Sequence, residues 1–168
     1  RSALHYFEEP SISGSNGSGT IFFSGCNLKC CYCQNKEIST NNFGINISIK
    51  RLSELMLDLQ SKGANNINLV TPTHFVPSII EAIKLARRNG LNIPIVYNTS
   101  GYESIDTIKL LDGYVDIYLT DFKYFDNKLG EDLSKVKNYF EVASTAFDEM
   151  YKQVSKNKFS SNGLMTRG

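Results

Sequence analysis

The 168-residue chain has the length of one domain, and its 41% hydrophobic content suits a single buried core. Lys and Arg number 18 against 17 Asp and Glu, so no overall field draws it to nucleic acid or to an acidic membrane face. No apolar run approaches bilayer length, and Arg1 to Pro10 is charged where a secretory leader would be apolar, so the expected setting is the cytoplasm, away from any membrane.

Along the chain, the Gly/Ser-rich stretch from Ser13 to Gly19 reads as a turn. It lacks a Walker lysine and precedes a strand, which argues against a phosphate loop. Thr20 to Phe23 predicts a buried strand, followed at once by a loop holding every cysteine of the chain. Ser53 to Lys62 places Leu55, Met56 and Leu59 at helical spacing, with Gly63 as the stop. Ile67 to Val70 predicts a second strand, Pro77 to Asn89 a helix ended by Gly90, and Ile93 to Tyr97 a third strand. Ser104 to Leu111 predicts a helix and Val115 to Leu119 a fourth strand. Beyond Asp121 a polar loop leads to one long helix, Tyr139 to Ser155, with Val142, Ala146, Met150 and Val154 on one stripe.

Strands alternating with helices imply parallel pairing through right-handed crossovers. No fifth strand of that series follows, so the expected fold is α/β, a partial parallel β/α barrel, open and truncated, formed by one core domain over 1–168 that lacks its last strand or strands. The start at Arg1 without Met and the stop soon after the loop-like Ser160-Ser161-Asn162-Gly163 read as a fragment or a trimmed chain. Ligands of such arrays gather at the carboxyl ends of the strands. There stand the cysteine loop, Thr71-Pro72-Thr73-His74, Asn98-Thr99-Ser100-Gly101 and Asp121-Phe122-Lys123, all polar, as one shared rim would be.

The cysteines lie in Gly25-Cys26-Asn27-Leu28-Lys29-Cys30-Cys31-Tyr32-Cys33. Adjacent Cys30 and Cys31 make poor disulfide partners. Zinc usually takes a second ligand pair, and the rest of the chain offers only His5 and His74 as candidates of the usual kind. The third possibility takes Cys26, Cys30 and Cys33 as a C-x-x-x-C-x-x-C triad holding three irons of a [4Fe–4S] cube and leaving the fourth open. Cys31 is then a thiol between ligands. His74 fits a helix start, and His5 receives no role.

With its aromatic before the last cysteine and a strand ahead of it, this triad resembles the signature of the radical S-adenosylmethionine (SAM) superfamily. Gly17 to Asn35 resembles the pyruvate formate-lyase-activating enzyme group, and Asn68 to Phe75 with Tyr97 to Tyr102 resembles an activase-like branch of it. The likeness implies a barrel of the radical SAM type, a [4Fe–4S] cluster with S-adenosyl-L-methionine, and reductive cleavage of that cofactor to a deoxyadenosyl radical. A glycyl-radical enzyme would be the partner, and a flavodoxin or ferredoxin the electron donor. A radical enzyme acting on a small metabolite or another protein side chain, and a non-catalytic iron–sulfur or zinc module, are the alternatives.

The same likeness implies cofactor contacts. Tyr32 matches the aromatic near the adenine, and Asp121 and Lys123 match an Asp-x-Lys whose lysine can pair with the cofactor carboxylate. Asn98 and Thr99 match an Asp-Thr pair that helps bind a monovalent cation in relatives, with Asn98 replacing the charged residue. Thr71-Pro72-Thr73 stands where relatives carry Gly-Gly-Glu, so Thr71 and Thr73 become the candidates for the cofactor's amino group.

Overall fold

The computed structural model describes residues 1–168. Its first strand, β1 (Ser2–His5), runs antiparallel to β2 (Ser18–Phe22), and a short helix α1 (Pro10–Ser13) lies between them. After α2 (Lys36–Ser39) comes α3 (Ile49–Ser61), then β3 (Ile67–Val70), α4 (Val76–Arg88), β4 (Ile95–Thr99), α5 (Ile105–Leu110) and β5 (Ile117–Thr120). The five strands form one sheet in chain order, parallel from β2 to β5. The chain continues through α6 (Asn127–Ser134), α7 (Tyr139–Val154) and a small antiparallel pair, β6 (Lys158–Phe159) and β7 (Met165–Arg167). This is an open, partial β/α barrel.

Local chemistry accounts for the helices. Ser48 caps α3, its hydroxyl accepting from the Arg51 amide at 3.1 Å, and Leu52, Met56 and Leu59 make its buried face. Pro77 sits in the first turn of α4, where its missing amide costs nothing, and Ile79, Ile80, Ile83 and Ala86 are buried. Ser104 caps α5 through the Thr107 amide at 3.1 Å. Strand alternation sends Ile21, Ile67, Leu69, Ile95 and Tyr97 into the core shared with these helices. The opposite face carries two rows fixed by register, Thr20–Asn68–Val96–Ile117 and, nearer the carboxyl ends, Phe22–Val70–Asn98–Leu119. Ile12 of α1 packs on Val96 and Ile117, closing the lower row.

Several expectations need correction. β1 was not anticipated: four half-buried residues at an antiparallel edge carry too little pattern to announce a strand. β4 and β5 begin two residues later than expected. The expected polar loop after Asp121 holds α6, capped by Asp126 accepting from the Lys128 amide at 2.7 Å. Gly130 hid that helix by its low propensity; here it lets α6 approach α7, because a Cβ would stand 3.0 Å from the Tyr139 Cβ. The buried stripe of α7 runs Tyr139, Ala143, Ala146, Met150 and Val154, with Ala143 in the place expected for Val142. The β6–β7 pair was also not expected, and it brings Gly168 to the free edge of β5. Gly168 donates to the Asp116 carbonyl at 3.1 Å and accepts from the Tyr118 amide at 2.8 Å. No helix is long and apolar enough to cross a membrane.

Tyr139 joins the loops beyond β4 and β5. Fully buried, its hydroxyl donates to the Ser100 carbonyl at 2.6 Å and accepts from the Lys123 amide at 2.8 Å. The Tyr139→Phe variant should lose about 1–3 kcal/mol, the cost of leaving these backbone groups unpaired. Urea unfolding measures it, and unchanged stability would contradict the tie.

Candidate functional site

The loop from Phe23 to Asn35 has no regular structure, so its shape depends on where it is tied down. Leu28 is 2% exposed and packs in a small core with Tyr124, Val136, Tyr139 and Ala143. The Lys29 and Cys31 amides donate to the Ser134 and Leu133 carbonyls at 2.9 and 2.8 Å, using acceptors that the end of α6 would otherwise leave free. Asn27 donates to the Tyr102 carbonyl at 2.6 Å, joining the loop to the segment beyond β4. Gly25 donates to the Ile38 carbonyl at 3.0 Å.

So anchored, the loop lines a cavity of about 570 Å³ at the carboxyl ends of the parallel strands. Cys26, Cys30, Cys33 and Tyr32 stand on its wall with Thr71, Asn98, Thr99, Asp121 and Lys123. Of the expected site residues, only Thr73 is absent from that wall. Its hydroxyl donates instead to Glu103 at 2.6 Å. Cys31 is exposed and away from the cavity, and His74 is exposed in a short 3-10 turn after β3. His5 and Glu8, to which no role was given, do line the cavity, with His5 Nδ1 and Glu8 Oε1 3.5 Å apart. A second cavity, about 320 Å³, lies between β5 and α7 and has no cysteine.

All four cysteines are free thiols. Burial pushes the Cys26 thiol up; the Leu28 amide at 3.4 Å and Lys123 oppose that, while Cys30 and Cys33 add repulsion. A cationic iron core would relieve that repulsion at Cys26. No group of three Cys, His, Asp or Glu side chains closes around one point as a single metal ion would need. In a cube each thiolate meets a different iron, so three thiols lining one cavity have the donor chemistry of a [4Fe–4S] cluster. Cys26, Cys30 and Cys33 fit that group.

Also lining the cavity, Lys123 has its Nζ 2.6 Å from Asp121 Oδ2. Burial works against its charge, but Asp121, with Cys30 and Tyr139 behind it, outweighs burial and holds the ammonium above the usual lysine value. Thr71 has φ +56°, a conformation a β-branched residue adopts only under strain of about 1–3 kcal/mol. A glycine would reach this backbone shape freely. Gly101 is required for a related reason: with φ +78°, a Cβ there would stand 2.8 Å from the Asp121 carbonyl.

Residues 20–166 match the sequence profile of the Radical SAM superfamily. The chain belongs to this superfamily. Radical SAM proteins use a [4Fe–4S] cluster and S-adenosylmethionine, in agreement with the thiol set described above. The chain is also similar to an uncharacterised protein of Methanocaldococcus jannaschii, with 38% identity over 148 residues, 83% of this chain and 42% of that protein. This chain therefore spans less than half the length of that relative.

Beneath the rim lies Glu103, 2% exposed, a residue that sequence reasoning passed over. Its Oε1 accepts from Thr99 at 2.5 Å, Thr73 at 2.6 Å and Tyr97 at 3.4 Å, while Oε2 has no protein partner. Its only sequence signal is a lone acid just after the turn beyond β4. Burial pushes its carboxyl above 4.5, with the three hydroxyls offsetting part of the rise. Folding therefore favours the protonated form, and the stability this confers is complete below the ordinary glutamate value and lost as pH climbs through the raised one. Glu103→Gln should match the wild type near pH 4 and become progressively more stable than it toward pH 8. Urea unfolding across that range checks this, and a constant difference would refute it.

Proposed function

We propose that this chain binds a [4Fe–4S] cluster through Cys26, Cys30 and Cys33 and cleaves S-adenosylmethionine reductively to begin a radical reaction. The observation carrying this is the three free thiols of one anchored loop facing one cavity at the strand ends. When bound, the cluster and cofactor supply the one-electron cleavage and the deoxyadenosyl radical that removes hydrogen from substrate.

The chain's own residues bind, orient and shield. Lys123 is the fixed cation of the wall and suits the cofactor carboxylate, exchanging part of its pairing with Asp121 for it. The Thr71 hydroxyl and carbonyl are the candidates for the ammonium. Thr73 would act only indirectly, through Glu103. Asn98, on the upper row beside Val70 and Leu119, contributes a neutral amide to the floor. Tyr32 offers its ring at the mouth, where an adenine could lie against it. A cytoplasmic setting accords with four reduced cysteines.

Resemblance of Gly17 to Asn35 to activating enzymes supports a finer form of this proposal, in which the hydrogen comes from a glycine of a partner glycyl-radical enzyme. The electron would come from a flavodoxin or ferredoxin.

Anaerobically reconstituted and reduced protein should release deoxyadenosine from S-adenosylmethionine. Cys26→Ala, Cys30→Ala and Cys33→Ala should each abolish that release and the charge-transfer absorbance, whereas Cys31→Ala should retain both. A colourless, zinc-loaded wild type, or loss of the cluster in Cys31→Ala alone, would defeat the assignment.

A further inference from the structure

One chain of hydroxyls ends on a cluster-loop sulfur. Ser134, fully buried at the end of α6, donates to Cys30 Sγ at 2.9 Å. Its oxygen is 2.6 Å from the hydroxyl of buried Tyr124, which is hydrogen-bonded in turn to the hydroxyl of half-exposed Tyr32. A thiolate carries no proton, so once Cys30 is ionised the order of donation is fixed: Tyr32 to Tyr124, Tyr124 to Ser134, Ser134 to sulfur. Bonds aligned in one direction polarise each other, so the last is stronger than an isolated serine would make it. The neighbouring sulfurs have weaker support, Cys26 from the Leu28 amide at 3.4 Å and Cys33 from a contact with Ser39 at 3.2 Å.

We infer that Ser134, backed by Tyr124 and Tyr32, is a positioning residue that sets the reduction potential of the cluster through Cys30. The inference rests on Cys30 being a cluster ligand, as proposed above. Reduction brings one electron from an external one-electron donor and breaks no bond, and the added negative charge spreads onto the ligand sulfurs. A donor aimed at one of them stabilises the reduced form more than the oxidised one. Tyr32 is therefore more than a ring at the mouth. It is the outer end of the relay, placed where an occupant of the cavity could reach it.

The test is a redox titration of the full chain, reconstituted anaerobically with iron and sulfide and followed by electron paramagnetic resonance. Ser134→Ala should titrate at a more negative potential, with electron affinity about tenfold weaker, which is about 59 mV for a one-electron couple. Tyr32→Phe keeps the Ser134 contact and alters only a half-exposed position, so it should fold as the wild type does and shift the potential in the same direction by less. Potentials equal to the wild type in Tyr32→Phe and in cluster-loaded Ser134→Ala would overturn the inference while leaving the cluster assignment intact. A wild type that takes up no cluster would overturn both.

Discussion

Everything at the rim depends on holding an irregular loop still. The cysteine loop satisfies few of its backbone groups internally, so its shape is borrowed from Leu28 in the small core and from the last carbonyls of α6. Burying one leucine stabilises by about 1.5–3 kcal/mol, and each backbone bond adds about 1 kcal/mol. That is enough to fix one short loop provided that α6 is itself in place. Helix α6 is placed by the close approach of Gly130 to Tyr139, so α7, α6 and the thiols form one mechanical sequence.

The rim beyond β3, β4 and β5 is held by two buried polar nodes. Tyr139 ties the Ser100 carbonyl to the Lys123 amide, keeping the segment that carries Lys123 against the one beyond β4. Glu103 gathers hydroxyls from Tyr97, Thr99 and Thr73, so β4 and the turn after β3 share one acceptor. Buried polar groups of this kind specify arrangement more than they add stability, because a displaced hydroxyl loses its partner away from water. Thr71, held at positive φ, adds a constrained backbone position to the same rim.

Much of this was legible in the sequence where one local pattern decides the outcome. The four parallel strands, the helices between them and the crowding of Cys26, Cys30 and Cys33 follow from periodicity and spacing, and of the expected site positions all but Thr73 line one cavity. What escaped depends on contacts distant in sequence. α6 has only Leu129 and Leu133 as apolar residues with Gly130 among them, and its worth appears only once Gly130 meets Tyr139. Glu103 looks like a solvated turn residue until two hydroxyls of β4 and one from the turn after β3 converge on it. Thr73 reads as a rim hydroxyl, and nothing local says that it turns to that carboxylate. The relay from Tyr32 to Cys30 joins positions 104 residues apart at its Ser134 step, beyond the reach of any motif.

The central claim is that three cysteines leave one corner of a cube free for the cofactor. Mössbauer spectroscopy of protein reconstituted with enriched iron tests it most directly, before and after S-adenosylmethionine is added. One iron in four should change its signal while the other three stay constant, as three thiolate ligands require. Four irons that respond alike, or a spectrum indifferent to the cofactor, would contradict it.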